Sequence, residues 1–133
     1  MKLFRIVFLF AFLLSVFASC KKDKDPITVP PANAAGKYEG KYGTGNNVPS
    51  VFYSFDLKQN GTLDELDEKG EIIGTGTWKI TGSSFTASTH YKFPATSFFA
   101  LTAFHDASAK KLTGTWGYGS NDKDGGKWHM TKK

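Results

Sequence analysis

Eight aromatic residues, Tyr38, Tyr42, Tyr53, Trp78, Tyr91, Trp116, Tyr118 and Trp128, recur on alternating runs where each ring shares a side with other large apolar residues. Converging rings of this kind suit an apolar or amphipathic ligand, the ring faces making contact and the phenolic hydroxyls orienting it. Together with Phe55 and Phe85 the same rings would equally make a filled core, and composition leaves both readings open. Acids are the second group. Asp64, Glu65, Asp67, Glu68 and Glu71 flank one hairpin, where paired carboxylates are the raw material of acid and base catalysis or of calcium binding. They lack calcium-loop spacing and come from one hairpin rather than from separated elements that enclose a substrate, so they read as a solvated tip.

Other constellations lead to no chemistry. Asp122-Lys123-Asp124-Gly125 opens like a calcium loop, but no acid stands at the twelfth position and Asp-Gly is ordinary turn chemistry. His90 alternates with Ser88 and Lys92, and His129 with Lys127 and Thr131, which places both on the solvent side; with His105 they give no metal site. No Gly-x-Ser-x-Gly elbow occurs, and no serine stands beside an evident base. The chain therefore reads as a non-enzyme with no cofactor.

The elements that position the rings are strands. Gly74-Thr75-Gly76-Thr77-Trp78 has a near copy in Leu112-Thr113-Gly114-Thr115-Trp116, and in each a glycine shares a face with the tryptophan. Glycine beside a large ring is what a sharply curved sheet requires. After residue 35 no helical periodicity lasts three turns, while strand signals recur about every 12 residues between turn signals. The pattern predicts eight strands, over 36–42, 48–59, 62–68, 71–80, 84–93, 97–106, 111–120 and 127–132. Asn60-Gly61 is the strongest hairpin signal among the connections. Consecutive hairpins make an antiparallel meander, and eight strands can close and remove their edges, with an interior that is filled or holds one small ligand. The fold class is all-β, a single eight-stranded up-and-down barrel over 36–133. Phe98, Ala100, Thr102 and Phe104 share one face of the sixth strand; Phe99 and Leu101 on the other are expected, with Phe52, to form an outward apolar patch.

Lys2 and Arg5 precede an apolar run from Ile6 to Ala18, interrupted by Ser15, which is too short to span a bilayer and has the form of a secretory leader. It ends at Phe17-Ala18-Ser19-Cys20, and the chain has 1 cysteine, so no internal disulfide is available. Phe17-Ala18-Ser19-Cys20 resembles the lipobox of bacterial lipoproteins, which implies cleavage before Cys20 and its lipidation. The Cys-Lys-Lys-Asp start is similar to outer-membrane lipoproteins of the Bacteroidetes. Residues 1–19 are thus expected to be a signal peptide and 20–35 a lipidated cysteine with a flexible tether rich in Lys, Asp, Pro and Ala.

Removing Lys2 and Arg5 with the leader takes the 17 basic residues to 15, against 12 acidic. Arg5 is the only arginine, which argues against phosphate or base recognition and against a nucleic-acid partner. Residues 36–133 resemble short lipocalin-like barrels of small bacterial lipoproteins, on Gly36-Lys37-Tyr38 opening the first strand, the repeated Gly-Thr-Trp and the hairpin layout. The resemblance implies a lipid-anchored protein of the cell envelope, at the outer membrane on its periplasmic face or at the cell surface, binding a small hydrophobic or amphipathic ligand. Its ligand residues would be Tyr38, Tyr42, Tyr53, Trp78, Tyr91, Trp116, Tyr118 and Trp128. The alternatives are a protein-binding module, such as a lysozyme or protease inhibitor acting through the loops at 43–47 and 121–126, and a structural envelope lipoprotein.

Overall fold

Alternation of apolar and polar residues over short runs, broken by Gly, Asn and Asp, produces strands and nothing else in the computed structural model, which describes residues 30–93 and 97–133. The predicted leader, Cys20 and most of the predicted tether lie outside the described residues. The strands are β1 (Gly36–Tyr42), β2 (Val51–Leu57), β3 (Thr62–Leu66), β4 (Ile72–Thr81), β5 (Ser84–Tyr91), β6 (Phe98–Asp106), β7 (Lys111–Tyr118) and β8 (Gly126–Lys132). Each pairs antiparallel with its neighbour in sequence, and β1 closes on β8 with Tyr38 opposite Lys132 and Tyr42 opposite Trp128. No sheet edge is left, as the hairpin layout implies.

Closure at this diameter brings backbones close, and the glycines of the repeated motif make it sterically feasible. A Cβ on Gly114 would lie 1.8 Å from the Thr102 carbonyl oxygen, and one on Gly76 would lie 2.0 Å from that of Ser88. At both positions the neighbouring strand occupies the space of a side chain, so the sheet coils where the sequence omits one.

The two copies of Gly-Thr-Trp lie on strands that run in opposite directions, and their rings therefore reach opposite ends. Trp78 sits where β4 nears the β2–β3 and β4–β5 hairpins, its Nε1 donating to the carbonyls of Lys58 and Thr62, both at 3.0 Å. Trp116 sits where β7 nears the opposite end, which carries the β1–β2, β3–β4, β5–β6 and β7–β8 loops, its Nε1 donating to the Gly43 carbonyl at 2.9 Å. The Trp78 half is solid. Tyr38, Phe55, Leu57, Leu63, Ile80, Phe85, Leu112, Trp128 and Met130 are buried there as a continuous core.

Residues 30–35, assigned to the tether on composition, lie against this closed end. Ala34 is fully buried, its carbonyl accepts from the Tyr38 hydroxyl at 3.0 Å, and Lys132 Nζ donates to the Asn33 carbonyl at 2.8 Å. Gln59 donates to the Pro30 carbonyl at 2.5 Å. The chain thus enters the barrel at its filled end.

One face assignment is reversed. Phe99, Leu101 and Ala103 point inward, Leu101 standing opposite Trp116, while Phe98 and Phe104 are more than half exposed. No outward patch of Phe52, Phe99 and Leu101 exists, because β6 is apolar on both faces and its pairing with β7 decides which goes inside.

Gly114→Ala forces a Cβ into backbone on the neighbouring strand, which no rotamer can relieve. We expect a loss of at least about 3 kcal/mol in urea unfolding, or no folded protein. Wild-type stability in this variant would mean that the strands separate freely at this point.

Candidate functional site

The other half of the barrel is hollow. Residues at the open ends of the strands, Tyr42 of β1, Tyr53 of β2, Glu65 of β3, Tyr91 of β5, Phe99 of β6 and Trp116 and Tyr118 of β7, surround a cavity of about 210 Å³, with Thr44 of the β1–β2 loop at its lip. An adjoining lobe of about 260 Å³ shares Tyr42, Tyr53, Glu65 and Tyr91 and extends outward past Val51, Leu66, Asp67, Glu68 and Ile73. The main cavity lies below the roughly 300–1,000 Å³ of pockets for drug-sized molecules, so it suits a small ligand or one end of a longer one.

The wall is a network of rings. Trp116 meets Tyr42 edge-on with centroids 5.8 Å apart, and contacts Phe99 at 5.8 Å and Tyr118 at 5.3 Å. Phe99 in turn packs against Tyr91 at 5.2 Å, and Tyr42 against Tyr53 at 5.1 Å. These tilted and edge-to-face pairs hold one another in place, so the wall exists before any ligand arrives. Tyr118 is 57% exposed and stands at the entrance.

Into this apolar space projects one carboxyl. Glu65 is 3% exposed, and it shares the inward face of β3 with Leu63. Across the strand pair it faces Gly74, where a Cβ would lie 3.3 Å from its Oε2, so the glycine leaves the carboxyl its place. The register shifts immediately after it, between Glu65 and Leu66, and the bulge ends the regular ladder at the cavity rim. Desolvation raises the Glu65 pKa from 4.5 to about 7, only partly offset by a hydrogen bond from Tyr91. Burial, with Glu65 next in size, raises the Tyr53 and Tyr91 phenols above their ordinary value, so both stay protonated donors at neutral pH.

Of the rings singled out in the sequence, Tyr42, Tyr53, Tyr91, Trp116 and Tyr118 come together at this cavity. Tyr38, Trp78 and Trp128 do not line it: they pack in the closed half, Trp128 supporting Tyr53 from below with centroids 6.1 Å apart. Phe99 and Glu65 line the cavity without having been assigned to it. Glu65, grouped with the solvated acids of the hairpin, is instead buried; its alternation with Leu63 separates it from Asp64 and Glu68, while Asp67, in the same phase, lies beyond the bulge that follows Glu65.

The histidines stand on three strands. His90 lies against Phe98 with centroids 5.5 Å apart, His129 is half-buried, and His105 is buried on the inward side of β6. Among the described residues no three of His, Cys, Asp and Glu gather as a metal site. Compared with known proteins, the chain matches no family model, no curated protein and no solved structure.

The raised Glu65 pKa has a consequence for stability. The folded state holds the proton more tightly than the unfolded chain, so this contribution is fully present below about pH 4.5 and is lost as pH rises through about 7. Wild type should lose about 3 kcal/mol more than Glu65→Gln between pH 4.5 and pH 8, read from urea unfolding at each pH. Parallel pH profiles for the two proteins would show that the carboxyl is solvated in the folded state.

Proposed function

We propose that this is a non-catalytic, lipid-anchored protein of the cell envelope whose barrel takes up a small hydrophobic or amphipathic molecule at its open end. The observation that supports it most is the division of the interior into a filled half and a ring-lined cavity that opens at the end opposite the chain's entry. Pro30 lies at the closed end, about ten residues after Cys20, a stretch that spans at most about 35 Å when extended. An anchor there leaves the mouth facing away from the bilayer, toward the aqueous space from which a small solute would come.

A second reading, a protein-binding module, is favoured by the rim. Val48, Val51, Ile72, Ile73, Phe93, Phe98 and Tyr118 are all exposed, and all belong to the open-end loops or to the strand residues beside them. An apolar collar of this kind is a common feature of surfaces that meet another protein. The ligand reading ranks first because the cavity is preformed and its chemistry converges.

One pair of mass measurements tests the proposal. Full-length protein from its producing cell, held in lipid nanodiscs, is weighed denatured and then released intact. We expect a denatured mass that begins at a diacylglyceryl-modified Cys20, and a native mass larger by on the order of 100–300 Da, the size the cavity admits. A denatured mass without lipid removes the anchor, and equal protein masses in the two states turn the search to a protein partner of the rim. Tyr118→Ala, which removes an exposed entrance ring and leaves the core intact, should lower occupancy with little change in stability.

A further inference from the structure

An acid buried in a ring-lined cavity needs a reason to be there. Glutamine would fill the same place without the cost of desolvating a charge. The titratable side chains that line the main cavity with Glu65 are all tyrosines, Tyr42 from β1, Tyr53 from β2, Tyr91 from β5 and Tyr118 from β7, and the adjoining lobe adds two more acids, Asp67 and Glu68, just after β3. From β4 it meets Gly74, from β6 Phe99, and β8 begins at Gly126 with no side chain to offer. Among the described residues, no lysine, arginine or histidine lines the cavity or its lobe to pair with this carboxyl.

Resting on the ligand reading above, we infer that the molecule bound is a small organic cation, a primary or quaternary ammonium, its charge against Glu65 and its hydrocarbon part against Tyr42, Phe99 and Trp116. Two independent features agree with it. Ring faces of tyrosine and tryptophan attract ammonium groups, most strongly where water is excluded, so the wall that receives hydrocarbon also receives the charge. The loops around the mouth carry Asp67, Glu68, Glu71, Asp122 and Asp124 against Lys69, Lys92 and Lys123, although the chain as a whole is basic. The entrance is locally negative on a positive protein, a field that concentrates cations at the opening.

The chemistry sets the sign of the pH dependence. An ammonium ligand binds the ionised form of Glu65, so its affinity falls up to about ten-fold per pH unit below the carboxyl's own titration near 7 and levels off above it. A ligand that accepts a hydrogen bond from a protonated Glu65, or that is itself a carboxylate, shows the opposite slope.

Three probes of one shape and different charge decide the matter: 2-phenylethylammonium, 2-phenylethanol and phenylacetate. Each is titrated into the full-length protein in lipid nanodiscs between pH 5.5 and pH 8.5, by calorimetry and tryptophan fluorescence, with empty nanodiscs as the blank. At pH 8 the ammonium should bind at least ten-fold more tightly than the alcohol or phenylacetate, and Glu65→Gln should abolish that preference and its pH dependence while still binding the alcohol. Retained alcohol binding also shows that the variant is folded. Equal affinity for ammonium and alcohol in wild type overturns the cation and leaves the ligand reading standing. Tighter binding of phenylacetate, with affinity falling as pH rises, also overturns it and assigns Glu65 as a proton donor. Failure of all three probes to bind at millimolar concentration overturns the inference and counts against the ligand reading with it.

Discussion

The width of an eight-stranded barrel governs the rest of this molecule. At this strand number the interior is just wide enough for side chains meeting across it, and it closes only where neighbouring backbones approach within the volume of a methyl group. Gly76 and Gly114 permit that approach. Large inward rings then fill the space between, and the interior is occupied wherever they reach the axis. Toward the closed end Trp78, Phe85, Phe55 and Trp128 do so, with Phe85 stacked on Trp78 at 6.2 Å and packed against Trp128 at 5.9 Å. At the open end Tyr42, Tyr91, Phe99 and Trp116 lean on one another along the wall and leave the axis empty.

That division couples packing to function. The solid half supplies the burial that stabilises a chain of this size, and residues 30–35 seal it against solvent. The hollow half gives up that burial and carries the one buried carboxyl of the described residues, Glu65 on β3. A cavity bordered by a desolvated acid is costly to hold in the folded state, and such groups concentrate where a protein binds something. The cost falls on the open end, away from the core of the closed half.

Much of the fold was legible because alternation and turn residues act locally. The strand count, the meander order and the barrel closure follow from runs such as Val51–Leu57 and from the glycine and tryptophan they share a face with, and the observed boundaries differ from the expected ones by a few residues at most. Faces were legible wherever one side of a strand is polar. β6 carries Phe98, Ala100, Thr102 and Phe104 on one side and Phe99, Leu101 and Ala103 on the other. Its own sequence has no preference, and the inward choice belongs to β7, where Leu112, Gly114 and Trp116 pair with His105, Ala103 and Leu101. Glu65 was obscured for a related reason: its acidic neighbours made the hairpin look uniformly solvated, although its spacing from Leu63 pointed inward.

By itself, then, the sequence determined a closed all-β meander, the residues that curve it and the inward rings of the strands other than β6, since period-two alternation and missing side chains act within one strand and its neighbours. Only the tertiary structure decided which rings form core and which form wall. The copies of Gly-Thr-Trp are alike in sequence, yet Trp78 seals one end and Trp116 borders the cavity at the other, because β4 and β7 run in opposite directions around the barrel. Tertiary closure likewise brought Glu65 together with Tyr53 of the adjacent β2 and Tyr91 of β5, two strands away. Depth along the barrel axis is set by strand direction and register together, and no single strand carries that information.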